Sequence, residues 1–309
     1  MKLLRSIGYA AASSALVLGV LPGTSSAAST TVVNGVHVAY NPAAAKLVPA
    51  SIKANGLKIV TSAPYPPFEV FNSKNQLTGL DIDTGRAIAA ALGVKVTFTS
   101  IDFNGVIPAL QAGQYDMLLA DTGDNAARAK ALNFVEYALQ GEVLVVPKGN
   151  PKHITSLKSM CGLTLSVEAG DAPAGFFTPV TKYCASVHKA NMTVKTLPTT
   201  ADALLALKSG SVDAQFVGVA TAPSLVKSLD GQAQVVNIPG KTGGYAALYV
   251  GAGLPKKSTQ LLKAVNAALV GLLQQGTLKA LFTKYGIQST LISKILVNAI
   301  SAGGNGLTL

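Results

Sequence analysis

Two segments of the chain share one pattern, in which a helical stretch leads through Gly-x-x-Asp into an apolar strand. The first reads ALQAGQYDMLLA over residues 109–120, and the second reads ALKSGSVDAQFV over residues 206–217. The glycine suits a helix end, and each short apolar run suits a buried strand. A chain that builds this unit twice is expected to fold as two α/β lobes.

Two polar stretches rich in Gly and Pro predict where the chain passes between the lobes. KGNPKHITSLKSMCG follows Pro147, and a second such stretch spans 239–244. Two crossings one lobe apart let the last segment return to the first lobe, so hinge closure around a ligand is expected. The predicted divisions are a signal peptide (1–28), a mature leader (29–56), the first part of lobe 1 (57–143), lobe 2 (144–241), the return to lobe 1 (242–287) and a C-terminal tail (288–309).

The first 28 residues have the composition of a secretory signal. Lys2 and Arg5 precede a mostly apolar stretch over 7–21, and small residues then offer cleavage after Ala27 or Ala28. The apolar stretch is too short for a membrane span of about 20 residues. No cysteine lies near this end, so we predict a periplasmic or extracellular protein without a lipid anchor.

The chain has only two cysteines, Cys161 and Cys184. In an oxidising compartment they favour one disulfide within lobe 2, and two free buried thiols are the alternative. The three histidines lack paired spacing, and no Gly-x-Ser-x-Gly elbow occurs. We therefore predict no metal, no cofactor and no catalytic residue.

Lys and Arg outnumber Asp and Glu by 25 to 14. Such an excess suits anionic envelope polymers, lipid headgroups or an anionic ligand. The basic residues are scattered and tryptophan is absent, so nucleic acid is not an expected partner. The tail has an apolar stripe at helical spacing, which predicts packing on the body, formed by Leu291, Ile292, Ile295, Leu296 and Ile300.

Residues 103–134 predict half of a ligand cleft. They read as a helix over 106–112, a strand over 117–120, a polar loop and a second short helix that carries Arg128. Open α/β sheets bind ligands where a strand ends in such a loop before a helix. Arg128 offers a two-pronged clamp for a carboxylate, and the alternative is a solvated helix arginine.

Several motifs, in order, resemble the family 3 extracellular solute-binding proteins that serve ABC importers of polar amino acids. They are YPPFEV, GLDIDTGRAIAAALG, FNGVIPALQAGQYDMLLA followed by Arg128 and the Asn-Phe pair at 133–134, LALKSGSVDA, and LLKAVNAALVGLLQQGTLKALFTKYG. The resemblance covers about residues 50–287. It implies an α/β, two-lobed periplasmic-binding-protein-like fold (type II) with two crossover hinge strands and a ligand cleft between the lobes.

The same resemblance implies a set of ligand-binding residues. Tyr65 and Phe103 correspond to aromatic walls, and Arg128 to the arginine that grips the α-carboxylate. The Pro-rich turn is also expected to display Phe68. The remaining positions are those where the family commonly places ligand contacts: Asp121, Gly123, Asp171, Ala172 and Gly218.

Three of these positions depart from the family pattern. An Asp that binds the α-ammonium is usual where this chain has Gly218, whereas Asp121 and Asp171 are uncommon carboxylates. Either one of them takes over the ammonium, or the ligand is a different polar or cationic metabolite. Ser62 stands where relatives that select basic side chains have an acid, which argues against Lys or Arg as ligand.

We predict a monomeric, non-enzymatic receptor that captures a small polar solute, most simply an amino acid, and delivers it to a membrane permease. One alternative is an enzyme on the same scaffold that resembles the cyclohexadienyl dehydratases. In that case Asp121, Asp171 or Glu168 would be the general acid, and Arg128 would hold the substrate carboxylate. Another alternative is a receptor for an amine or an organic acid that is not an amino acid.

Overall fold

One mixed β-sheet runs through both lobes of the protein. The computed structural model describes residues 30–172, 175–236, 243–300, 307 and 309. The predicted signal peptide and part of the second predicted crossing lie outside these residues. No helix in the described ranges is long and apolar enough to cross a membrane.

Fourteen strands and nine helices follow one another along the described chain. The strands are β1 (Thr30–Val33), β2 (Val36–Ala39), β3 (Leu57–Thr61), β4 (Val70–Phe71), β5 (Leu77–Thr78), β6 (Val96–Ser100), β7 (Met117–Leu118), β8 (Leu132–Pro147), β9 (Thr164–Glu168), β10 (Thr193–Leu197), β11 (Ala214–Gly218), β12 (Ala233–Val235), β13 (Tyr245–Pro255) and β14 (Leu291–Val297). The helices are α1 (Pro42–Lys46), α2 (Ala50–Asn55), α3 (Leu80–Leu92), α4 (Phe103–Gln111), α5 (Thr178–Ser186), α6 (Thr200–Lys208), α7 (Ala222–Ser228), α8 (Thr259–Gln274) and α9 (Thr277–Lys284).

The order of strands in the main sheet separates the two lobes. It runs β10-β9-β11-β8-β13-β7-β3-β6. In lobe 1, β3 pairs in parallel with β6 and β7, and in lobe 2, β9 pairs in parallel with β10 and β11. Long antiparallel strands β8 and β13 lie between these two parallel groups, which is the two-lobed fold with two crossover strands that the sequence predicts.

The lobes connect earlier in the chain than the polar connector suggests. The connector after Pro147 belongs to lobe 2, because Ile154, Leu157 and Met160 are buried in that lobe's core. The crossing is instead made by the 16 residues of β8, of which the predicted strand over 142–146 is only one part. β8 is mostly buried along its length, and its polar residues near the middle, such as Gln140 and Glu142, are too few to mark the crossing in the sequence.

The duplicated sequence pattern is confirmed as a duplicated structure. Gly113 and Gly210 end their helices with φ of +74° and +73°, a conformation that glycine adopts at little cost. The aspartates that follow, Asp116 and Asp213, accept hydrogen bonds of 2.8 Å from backbone N–H groups of β3 and β9, respectively. The Gly-x-x-Asp segment therefore fixes each helix to a strand in the same way.

The predicted leader and the first part of the predicted tail form ordered elements on lobe 1, whereas Leu307 is buried in the lobe 2 core. The predicted leader contains the hairpin of β1 and β2, whose Val33 and Val38 enter the lobe 1 core. The tail packs on the body as expected, but its apolar residues lie on a strand, Leu291–Val297, that pairs antiparallel with β8 instead of on the helix that their spacing suggests. The edge of β8 offers unpaired backbone groups, and pairing with them outweighs the helical spacing of the apolar side chains.

The predicted disulfide is confirmed. Cys161 and Cys184 are bonded, with their Cα atoms 5.5 Å apart. The bond joins the turn over Leu157–Met160 to α5, within the lobe 2 core.

Candidate functional site

A small, partly enclosed cavity lies between the lobes. The cavity follows the carboxyl ends of strands β3, β7 and β9, where open α/β sheets bind ligands. Its lining residues are Ser62, Tyr65, Glu69, Phe103, Ala120, Asp121, Glu142, Glu168 and Asp171.

Two aromatic side chains from lobe 1 form walls of the cavity. Phe103 is the first residue of α4, and Tyr65 lies in the Pro-rich turn after β3. The Tyr65 hydroxyl accepts a hydrogen bond of 3.2 Å from the Gly218 N–H of lobe 2. Phe68 does not line the cavity, because its ring is only 2% exposed and packs in the lobe 1 core behind Tyr65. The turn therefore displays one of its two aromatic side chains.

Arg128 is a buried residue that joins the lobes. It lies on a short 3₁₀ turn, Arg128–Lys130, rather than on the predicted helix, and is 9% exposed. Its Nη1 donates to the Gly123 carbonyl and its Nη2 donates to the Gly170 carbonyl of lobe 2, both at 3.1 Å. The guanidinium also lies 5.2 Å from the centre of the Phe103 ring. The solvated-arginine alternative is therefore wrong.

Gly123 contributes its carbonyl and its small size. A Cβ atom at this position would lie 2.4 Å from the Leu248 side chain of β13. A larger residue would therefore push the loop that carries Arg128 away from β13.

Asp121 is held in position by two other residues. Its backbone has a φ of +44°, which is uncommon outside glycine, asparagine and aspartate. Its N–H donates to Asp81 Oδ2 at 2.6 Å, and the Gln140 amide donates to its Oδ1. Asp81 also accepts a hydrogen bond from the Tyr137 hydroxyl. These contacts direct the Asp121 carboxylate into the cavity.

Two of the three predicted lobe 2 residues, Asp171 and Gly218, lie at the site, and Ala172 does not. Asp171 lines the cavity, whereas Ala172 packs against the lobe 2 core. Neither is at a helix start, because α5 begins at Thr178. Gly218 ends β11, and a Cβ there would lie 2.8 Å from the Tyr65 hydroxyl and 3.6 Å from Asp121 Oδ2. The closed cleft has no room for a side chain at position 218.

Two cavity carboxylates are missed by the sequence reasoning. Glu69 lies in the turn after Phe68, and Glu142 lies on β8 directly opposite Gly218. A single acidic residue in the otherwise apolar segment GEVLVV is the signal that could identify Glu142. Glu168, considered in the sequence only as a possible general acid, also lines the cavity and accepts a hydrogen bond from the Thr200 hydroxyl.

Burial makes the cavity carboxyls hard to ionise. Desolvation is the main cause that raises the pKa of Glu168, to about 7, although the Thr200 hydrogen bond opposes it. Desolvation and then neighbouring carboxylates raise the pKa values of Glu69, Asp121 and Glu142 well above the ordinary range. Burial lowers the pKa of Arg128, and Asp171 is the strongest of the carboxylates that oppose this change. A cationic group in the cavity would favour the ionised carboxylates.

The arrangement favours binding of a small charged molecule over metal coordination. No group of three or more His, Cys, Asp or Glu side chains within the described residues is placed to hold a metal ion. Aromatic side chains and carboxylates from both lobes line the cavity, and the buried guanidinium of Arg128 lies against one of its aromatic walls.

Comparison with known proteins identifies a family. Residues 57–288 match the bacterial extracellular solute-binding proteins, family 3. The arginine-binding protein ArgT of Corynebacterium glutamicum is 26% identical over 254 residues, which cover 82% of this chain and 81% of that protein.

Two solved structures are also similar to the chain. An ancestral arginine-binding protein bound to arginine is 32% identical, with a TM-score of 0.64 over 74% of this chain and 97% of the other. The ancestral amino acid-binding protein AncCDT-1, a precursor of cyclohexadienyl dehydratase, is 27% identical, with a TM-score of 0.64 over 76% of this chain and 97% of the other. The sequence match, the two-lobed fold and the partly enclosed cavity lead to one conclusion: the chain belongs to the bacterial extracellular solute-binding proteins of family 3.

Proposed function

We propose that this chain is the exported, monomeric receptor of an ABC importer, and that it encloses an amino acid between its lobes for delivery to a membrane permease. The observation that carries the proposal is the placement of Arg128. A buried arginine that contacts both lobes beside a partly enclosed cavity is suited to hold a carboxylate. The relatives named above, which bind arginine or are described as amino acid-binding, support the same class of ligand.

The two interlobe hydrogen bonds explain how binding and closure are coupled. Tyr65, which lines the cavity, accepts a hydrogen bond from Gly218, and Arg128, which lies against the cavity wall Phe103, donates one to Gly170. A ligand that orders Tyr65 and Arg128 also favours these contacts. Ligand binding therefore stabilises the closed arrangement, and a permease can distinguish the closed receptor from the open one.

A thermal-shift screen of the exported chain against the L-amino acids tests the proposal. A ligand at 100 times its dissociation constant adds about 2.7 kcal/mol to the free energy of unfolding. We expect the shift to disappear in Arg128→Ala. Arg86→Ala is the matched control, because Arg86 is a partly exposed arginine that pairs with Asp83 away from the cavity. An amino acid that shifts Arg128→Ala as much as the wild type would contradict the assigned role.

The enzyme alternative has one supporting observation. The pKa of Glu168 is raised to about 7, which suits a general acid near neutral pH. Incubation with prephenate or arogenate tests it, with detection of the aromatic product. Turnover that is lost in Glu168→Gln would establish the enzyme, and the absence of product would leave the receptor as the function of the site.

A further inference from the structure

Two buried side-chain oxygens around the cavity have no hydrogen-bond donor among the described residues. They are Gln140 Oε1 and Glu142 Oε2. Glu142 lines the cavity, and Gln140 contacts Asp121, which also lines it. Glu69 also lines the cavity and is 1% exposed, but the Thr61 hydroxyl lies close enough to act on its carboxylate. Buried acceptors without donors are costly, and a ligand rich in N–H groups would satisfy them.

Two of the carboxylates converge from different parts of the fold. Asp121 Oδ2 lies 3.6 Å from the point where a Cβ of residue 218 would be. Glu142 is the cross-strand neighbour of Gly218, so its side chain projects from the same face of the sheet. Asp121 and Glu142 therefore both lie beside Gly218 and line the same cavity.

One arginine cannot balance the charge of the cavity. Five carboxyl side chains line it, and none of the nine lining residues in the described part of the chain is basic. Arg128 interacts most strongly with Asp171, whereas the strongest charged neighbours of Asp121 are the carboxylates of Asp81 and Glu142. Arg128 also acts on Glu142 and Asp121, so its single charge is shared among three carboxyl groups. A cationic group of a ligand would favour the ionised forms of those that Arg128 does not neutralise.

We propose that the cleft takes a ligand with two cationic nitrogen groups, and that Asp121 and Glu142 together hold one of them. The inference rests on the proposed function and makes it more specific, because Asp121 becomes the residue that selects for ligand charge. Ser62 does not decide the matter, since the acidic groups that meet the ligand are supplied by Glu69, Asp121 and Glu142 instead.

Calorimetric titration of the exported chain with two sets of three compounds separates this inference from the proposed function. L-lysine is compared with L-norleucine, which lacks the second cation, and with cadaverine, which lacks the carboxylate. L-arginine is compared in the same way with L-citrulline and agmatine. We expect lysine to bind at least about 30-fold more tightly than norleucine, or arginine than citrulline. Each analogue lacks the second cation and therefore leaves the buried carboxylates without a charged partner.

Asp121→Asn tests the residue itself, and Asp230→Asn is its matched control. Both aspartates have positive φ, +44° and +48°, which asparagine tolerates, and both substitutions remove one negative charge. Asp230 is exposed and does not line the cavity. We expect Asp121→Asn to weaken binding of the basic ligand about 30-fold or more and Asp230→Asn to leave it unchanged. The melting temperature of each variant without ligand checks that it is folded.

Each contrary outcome has a distinct meaning. Norleucine or citrulline binding as tightly as lysine or arginine would overturn the inference and leave the amino-acid receptor standing. Cadaverine or agmatine binding as tightly as the amino acid would overturn the carboxylate role of Arg128 and leave the charge selection standing. Equal losses in Asp121→Asn and Asp230→Asn would also overturn the inference. Binding of none of the six compounds would overturn the inference, and the thermal-shift screen would then decide whether the cleft takes another amino acid.

Discussion

The two helix–Gly–x–x–Asp–strand units build the same local structure and end in different chemistry. In lobe 1 the strand leads to Asp121, whose carboxylate enters the cavity, whereas in lobe 2 the strand ends at Gly218, which contributes only backbone. The Gly and Asp within each unit hold the helix and strand together, and the residues just after the strand face the ligand. Scaffold and specificity are therefore encoded in adjacent but separate positions.

The largest difference in stability between the lobes should come from the disulfide, which only lobe 2 contains among the described residues. Replacing both cysteines with alanine removes a closed loop with a sequence separation of 23 residues. We expect a loss of about 3 kcal/mol in the free energy of unfolding, measured by urea titration. Hydrogen exchange should locate the loss in lobe 2. An equal increase in exchange in both lobes would show that the disulfide stabilises both lobes and not lobe 2 alone.

The shared part of the units should respond equally in both lobes. Asp116→Ala and Asp213→Ala each leave a strand N–H without its carboxylate acceptor. We expect each to lower the free energy of unfolding by about 1.5 kcal/mol. Asp116→Asn and Asp213→Asn retain an acceptor oxygen and should lose less. Losses that differ strongly between the lobes would show that the two units are alike in sequence only.

The different ends of the units can be tested by adding one methyl group. The Cβ of Gly218→Ala would lie 2.8 Å from the Tyr65 hydroxyl, so the closed cleft becomes overpacked. We expect about a tenfold loss of ligand affinity by calorimetry. Tyr65→Phe removes the hydroxyl, and Gly218→Ala should cost much less in that background. A loss that is the same in both backgrounds would place the strain elsewhere.

The smallest expected effect is a pH dependence of the protein without ligand. Glu168 has a pKa of about 7 in the folded protein and an ordinary value of 4.5. Folding favours its protonated form, so its contribution to stability is complete below pH 4.5 and is lost as the pH rises to about 7. The groups that act on it are Thr200, Asp171 and Asp102.

Melting temperatures of the wild type and Glu168→Gln at pH 5, 6, 7 and 8 measure this contribution. We expect the wild type to lose more stability than the variant over this range, and parallel curves would contradict the raised pKa. A cationic ligand should reverse the trend, because it stabilises the ionised carboxylate. The thermal shift that it produces should therefore increase from pH 5 to pH 8.

Features defined by neighbouring residues were predictable from the sequence. The duplicated unit depends on a local glycine and aspartate, and Arg128 follows a loop whose polarity is visible in the sequence. The fold class followed from these units and from the order of the motifs. The cysteine pair was also predictable, because two cysteines in one lobe of an exported chain have few other uses.

Features defined by pairing between distant segments were not predictable. The strand β14 forms because β8 offers an edge more than 150 residues earlier in the chain, and helical spacing within the tail gives no information about that edge. The prolines of the turn after β3 do not show which of its two aromatic rings, Tyr65 or Phe68, will face the cavity. Glu142 becomes a site residue only because β8 crosses between the lobes opposite Gly218.

The position of β14 has a mechanical consequence for the hinge. Its end is fastened to β8 by the Asn298 side chain, which accepts the Phe134 N–H, and by the Ala299 N–H, which donates to Glu136, both at 2.8 Å. These contacts hold the lobe 1 half of β8 along one edge, so we expect β8 to bend near Gln140, after the last lobe 1 core residue, Ala138. We therefore expect residues 291–299, which touch no ligand, to influence how readily the cleft opens.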